Sequence, residues 1–355
     1  MFKHLKCVIC MIMALALCAG AAGCGIAGPD KDNLTTTAQN TEYSSEHAVT
    51  STPDQTTIIA QDNTAGVAAQ VSGIAAQPLT TMDSNIQKGK QDPSTKTFTG
   101  LLPLPVRPVE ISDPANSKHL PLTKIEHSYG AAKDGVVHDI SKGHQVFFDQ
   151  KNYAAVCYDN KSTEKALYLT FDCGYENGNT AIILDVLKEK QVPAAFFCTV
   201  DEMRGAPDIV ARMINEGHIV GNHSLTHPHF SAINREAMAK ELIEADNYLR
   251  QNFGYSAPFF RFPYGEYNES ALDAVASLGF TSVFWSASYR DWAEAEQQGA
   301  QYAFDMVTSR IHPGCVLLLH SVSSDNAQAM GRIIDHARAE GYVFRHLTAL
   351  PSFRP

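Results

Sequence analysis

Residues 166–179 read ALYLTFDCGYENGN. Ala166 to Phe171 is a run of strand-forming residues without polar alternation, the pattern of a strand buried on both faces. It delivers one carboxylate, Asp172, to a turn in which Gly174 and Gly178 break the run before a helical pattern begins. In an α/β context, the C-terminal end of a buried strand is where barrel enzymes hold their reactive groups. Asp172 is therefore the residue for which the rest of the chain should supply partners.

Downstream, strands and helices alternate. Helical periodicity places Ile182, Ile183, Val186 and Leu187 on one face, and a second strand is expected from Ala194 to Val200. Helices are expected at about 207–216, 234–252, 269–278, 299–311 and 326–340. Strands are expected at 218–222, 259–262, 281–286, 315–319 and 342–345. Such alternation implies parallel pairing with helices outside. The predicted fold is a distorted (β/α) barrel, closed or incomplete, occupying residues 166–350.

Each of the later strands ends in a chemically capable residue. His223 and His227 stand four apart in HSLTH, Arg261 opens RFPYG, Asp291 and Trp292 follow the fifth strand, and His320 closes LLLH. Taken singly, each reads as a capped loop or a surface charge. Together, at one end of a barrel, they make a consistent amide hydrolysis. A divalent metal on His223 and His227 would polarise water and carbonyl. Zinc is the first expectation, with manganese or cobalt as alternatives. Asp172 would take the proton of the water, and His320 would return one to the leaving nitrogen. Arg261 and Asp291 are expected to pair behind Asp172 and tune it. Backbone N–H groups at Tyr264 and Gly265 would receive the oxyanion, and Tyr264 and Trp292 offer flat faces to sugar rings.

TFDCG, HSLTH, RFPYG, the DW of SYRDW and LLLH, in this order, resemble the five motifs of NodB-type polysaccharide deacetylases, carbohydrate esterase family 4. The resemblance runs from Ala166 to His346. It implies metal-dependent removal of N-acetyl groups from polymeric amino sugars. It also implies Asp172 as base, His223 and His227 as metal ligands, Arg261 and Asp291 as supports, and His320 as acid. FDCGYENG (171–178) and HSVSSDNA (320–327) look like the branch that deacetylates N-acetylmuramic acid on the way to the muramic δ-lactam of spore cortex. The implied partners are peptidoglycan strands and an upstream N-acetylmuramoyl-L-alanine amidase. Deacetylation of N-acetylglucosamine or of another surface glycan is the alternative, and a non-catalytic wall-binding lipoprotein is a third reading. Cys173 stands where most of the family has a second Asp that binds metal. A thiolate there would be a good zinc ligand, but no thiol-activating neighbour is visible in the strand.

The rest of the chain reads as delivery. Residues 1–24 carry Lys3, His4 and Lys6 before an apolar run and small residues, the layout of an export signal. Ala21-Ala22-Gly23-Cys24 resembles a bacterial lipobox with Cys24 as the lipidated residue, which would tether the protein to the membrane outside the cytoplasm. Residues 25–100, rich in Ser, Thr and Gln, are expected to form a flexible linker. Residues 101–165 are expected to form a small N-terminal extension or cap, in which His127-Ser128-Tyr129-Gly130 has no assigned chemistry. With 38 acidic against 28 basic residues in 355, the net charge of −10 argues against nucleic-acid binding. Cys157, Cys173, Cys198 and Cys315 lie beyond the signal and spell no disulfide framework.

Overall fold

A computed structural model describes residues 108–353 apart from 109, 257 and 352, together with a short antiparallel pair, β1 (Lys90–Gln91) and β2 (Phe98–Thr99). The expected export signal, the lipidation site Cys24 and nearly all of the linker lie outside the described residues.

The main sheet is built around β5 (Ala166–Cys173), all eight residues of which are buried. β11 (Cys315–His320) lies parallel to it on one side and β6 (Ala194–Cys198) on the other. From β6 the sheet continues in parallel through β7 (Ile219–Asn222), β8 (Phe259–Phe260) and β10 (Thr281–Val283) to β4 (Ala155–Val156). β12 (Val343–Phe344) pairs with the start of β5. The sheet curls until its ends nearly meet. Two isolated bridges, Tyr158 to Cys315 and Ala287 to Leu317, join the segments after β4 and β10 to β11. The expected incomplete barrel is thus observed, its gap spanned by single bridges where a full ladder would close it.

The helices follow the expected alternation. They are α2 (Asn179–Lys190), α4 (Pro207–Asn215), α5 (Arg235–Phe253), α6 (Glu269–Ser277), α7 (Ala300–Thr308) and α8 (Ser324–Ala339). Asn234, Asn268 and Ser323 cap α5, α6 and α8 through their side-chain oxygens, each satisfying one of the orphan donors of the first turn. The six-residue α3 (Val200–Gly205) was not legible in sequence, because VDEMRG is too short to show a period. Among the described residues, no helix is long and apolar enough to cross a membrane.

The segment before β5 contributes α1 (Asp139–Lys151), the sheet strand β4, and β3 (Ile125–Glu126). β3 pairs antiparallel with β9 (Glu266–Tyr267), directly behind the RFPYG segment. His127 Nε2 meets the Trp285 carbonyl at 2.7 Å, and its backbone N–H donates to Gly265 O at 2.9 Å. These bonds hold the back of that segment.

Candidate active site

Strand register decides the site. His320 is the direct neighbour of Asp172 across β11 and β5, and Phe197 is its neighbour on β6. Asp172 is 9% exposed. Its Oδ1 accepts a 2.7 Å bond from Arg261 Nη1, and its Oδ2 lies 3.7 Å from His223 Nε2. Burial alone would raise this carboxyl, but Arg261, with His223 and His320, outweighs it and holds the pKa below the ordinary value. Asp172 is therefore ionised at neutral pH.

Arg261 is fully buried yet fully engaged. Besides Asp172 it donates to Thr170 Oγ1 at 2.9 Å and to Val283 O at 2.9 Å, and it stacks 4.2 Å from the centre of the Phe197 ring. A guanidinium suits this place because its rigid fork meets several acceptors at once.

His223 Nδ1 lies 2.9 Å from the Arg261 carbonyl. A carbonyl only accepts, so Nδ1 carries the proton and Nε2 presents a lone pair. That lone pair faces an ionised carboxylate oxygen at 3.7 Å. Two acceptors at this distance call for a proton or a cation between or beside them. Burial lowers the pKa of His223 and takes that of His227 down to about 4, so both rings are neutral, as metal ligands must be. Their ring centres are 4.9 Å apart. His227 sits at φ 57°, held by its N–H to Ser224 Oγ at 2.9 Å. These two residues fit a divalent ion.

Cys173 does not fit one. Ser321 Oγ donates to its Sγ at 3.3 Å, its neighbour across the sheet is Cys198, and burial pushes its thiol up. Among the described residues, no group of three His, Cys, Asp or Glu side chains is arranged to hold a metal.

Asp291 departs from the expected role. It does not pair with Arg261 behind Asp172. Its Oδ1 meets His320 Nδ1 at 2.7 Å, and its Oδ2 accepts from the His320 backbone N–H at 2.8 Å. The reason is topological: the segment after β10 bridges to β11 at Ala287 and Leu317, which carries Asp291 to the His320 side. Asn326 adds a 2.6 Å bond to Asp291 Oδ2, and Tyr289 OH in turn donates to Asn326 Oδ1 at 2.6 Å. Sequence reading missed Asn326. Its signal is a position six residues after His320, in the turn that starts α8.

Burial would lower the His320 pKa, but Asp291 and then Asp172 outweigh it and raise it. Two coupled groups result, a carboxylate held ionised and an imidazole inclined to hold its proton. A bell-shaped pH dependence of kcat/KM is expected, lost on the acid side as Asp172 protonates and on the alkaline side as His320 deprotonates. Asp291→Asn removes the charge that raises His320, so its alkaline limb should move to lower pH, while an unmoved limb would show that His320 is not the acid. The stability signs follow the same directions. The Asp172 contribution is present above the unfolded value of about 3.9 and lost as pH falls through the lowered folded one. The His320 contribution is full below about 6.5 and lost as pH rises through the raised folded one.

Around this core the expected contacts divide. Tyr264 (57% exposed) and Trp292 (51% exposed) are large apolar surfaces at the mouth, and the Trp292 ring centre is 5.5 Å from that of His320. Such faces suit sugar rings. Gly265 is not the expected oxyanion donor, because its N–H donates to Phe262 O at 3.1 Å. It is needed for its φ of 67° and because a Cβ there would stand 2.8 Å from Trp285 Cη2.

A curled parallel sheet whose mouth presents an ionised Asp beside an Arg, two neutral His and an Asp-oriented His defines a hydrolase of acyl groups. The family model for polysaccharide deacetylases matches residues 159–283. An uncharacterised 30.6 kDa protein of Geobacillus stearothermophilus is 42% identical over 54% of this chain and 73% of its own. The peptidoglycan-N-acetylmuramic acid deacetylase PdaA of Bacillus subtilis is 38% identical over 54% of this chain and 74% of its own. The solved structure of that PdaA, a family 4 carbohydrate esterase, matches with a TM-score of 0.62 and 34% identity over 65% of this chain and 98% of the other. The chain belongs to the polysaccharide deacetylase family, carbohydrate esterase family 4.

Proposed function

We propose that this protein removes the acetyl group from N-acetylmuramic acid residues of peptidoglycan, the step that precedes muramic δ-lactam formation in spore cortex. The likeness to the B. subtilis N-acetylmuramic acid deacetylase over 74% of that protein's length carries the reading. The proposed setting is outside the cytoplasm, on a chain tethered through its N-terminus, acting on strands whose stem peptides an amidase has removed.

In this reading the proton traffic runs through Asp172 and His320. Arg261 occupies Asp172 Oδ1, which leaves Oδ2, on the His223 side, to accept the proton of the attacking water. A carboxylate with a lowered pKa is a weak base, so the water must be acidified. A divalent ion on His223 and His227, with zinc the first candidate, supplies that and polarises the acetyl carbonyl when bound. As the C–N bond of the tetrahedral adduct breaks, the amine needs a proton. His320 has Nδ1 fixed on Asp291, so Nε2 is the nitrogen left to give it. Tyr264 and Trp292 flank the bound sugar.

Purified protein should release acetate from peptide-free peptidoglycan strands, and chelation should remove at least about 99% of that release, restored by added zinc, manganese or cobalt. Muropeptide analysis of the products should show deacetylated muramic acid. Products deacetylated on glucosamine would overturn the substrate assignment, and undiminished release after chelation would overturn the metal dependence.

A further inference from the structure

The His127-Ser128-Tyr129-Gly130 motif has no part in the chemistry above, yet its first three residues line an open pocket of about 500 Å³. Ser288, Tyr289, Arg290, Met306 and Arg310 are also among its lining. The lining residues 288–290 run directly into Asp291 and Trp292 of the catalytic centre. Arg290 lies 5.9 Å from the Trp292 ring centre, and Trp292 in turn flanks His320. No carboxylate lines the cavity.

Its charged groups are Arg290 and Arg310. Arg310 donates to Met306 O and Ser309 Oγ, and among the described residues no carboxylate pairs with it. Arg290 shares Glu296 at 2.8 Å, but both partners are more than half exposed, so this ion pair is weak. The cavity therefore has guanidinium charge available to an anion.

We propose that this pocket is an accessory subsite for an acidic unit of the glycan, its carboxylate on Arg310 and Arg290. The carboxylate can come from an ether-linked acid on a sugar or from the end of a peptide attached to it. The chemistry is shared, and the two sources are separable by experiment. The proposal rests on a glycan substrate but not on which sugar is deacetylated.

Calorimetry on full-length protein carrying Asp172→Asn tests binding without turnover. The probes are peptide-free peptidoglycan strands with free lactyl carboxylates, the same strands amidated at those carboxylates, peptide-bearing strands, and neutral N-acetylglucosamine oligomers of equal length. Arg310→Gln, and separately Arg290→Gln, should weaken the carboxylate-bearing strands by about tenfold and flatten their salt dependence. Amidated strands should bind the parent protein as weakly as free strands bind the Arg310→Gln variant. Tighter binding of peptide-free than peptide-bearing strands would assign the carboxylate to the sugar, and the reverse order to the peptide, each within the proposal. Equal loss on free and amidated strands, or no loss in either arginine variant, would overturn it. A protein that deacetylates glucosamine but still discriminates carboxylates through Arg310 would sink the muramic reading and leave this subsite standing.

Discussion

Asp172→Asn should reduce kcat by about 10³–10⁴-fold with the fold intact. The substitution keeps an oxygen that can still accept from Arg261 Nη1, now 2.7 Å from Oδ1. It removes the one group positioned to take a proton from water next to His223. An amide nitrogen or neutral oxygen at the other branch cannot do this. The cost in stability is real, because the Arg261 charge loses its counter-ion while buried. Breaking such a pair costs about 3–5 kcal/mol, within the 5–15 kcal/mol typical of a folded domain. Far-ultraviolet circular dichroism and a cooperative urea transition should show a folded protein. Acetate release above about a tenth of the parent rate would remove Asp172 from the role of base. Loss of the fold together with activity would leave Arg261 and Asp172 as a structural pair only.

Arg261→Leu should damage both stability and activity. Leucine fills part of the volume but satisfies none of four acceptors: Asp172 Oδ1, Thr170 Oγ1 and the carbonyls of Val283 and Phe284. The largest single loss is the charge that keeps Asp172 ionised. Without it the carboxyl must either protonate or remain as an unpaired buried charge. We expect destabilisation of about 3–5 kcal/mol. At a slope of about 2.5 kcal/mol per M, this lowers the urea midpoint by about 1–2 M. Activity should vanish at neutral pH, and the acid limb of any residual activity should move upward as the Asp172 pKa rises. Arg261→Lys separates charge from geometry. A lysine keeps the positive charge but not the fork that reaches Thr170 and Val283 while holding Asp172. An Arg261→Leu protein with unchanged urea midpoint and unmoved acid limb would show that the guanidinium neither supports the sheet nor tunes the base.

These two changes act through contacts with different visibility in the sequence. Arg261 was expected to support and tune Asp172 together with Asp291, and the structure shows it bonded directly to Asp172. For Asp291, Arg261 was the expected partner, and the crossing of the 284–292 segment toward β11 gives it His320. Gly265 shows a second kind of error. Proximity to Tyr264 suggested a free N–H, whereas the turn at Pro263–Gly265 spends that donor on Phe262 O. Asn326 belongs to the same class, a polar residue whose partner lies 35 residues away in sequence.

What the sequence determined alone was the order of buried strands and the chemistry at their ends. Strands covered on both faces must be continuous apolar runs, so ALYLTF and CVLLL announce themselves, and a titratable residue directly after such a run must sit at the mouth. The sequence also carried the family through five ordered motifs. What only the tertiary structure decided was which of those residues touch. Curling of the sheet sets Asp172 beside His320 and turns Asp291 away from Arg261. It also folds Cys173 toward Ser321 and Cys198, away from the paired imidazoles. Contacts between strands depend on register and twist, which are properties of the closed sheet and of no single segment.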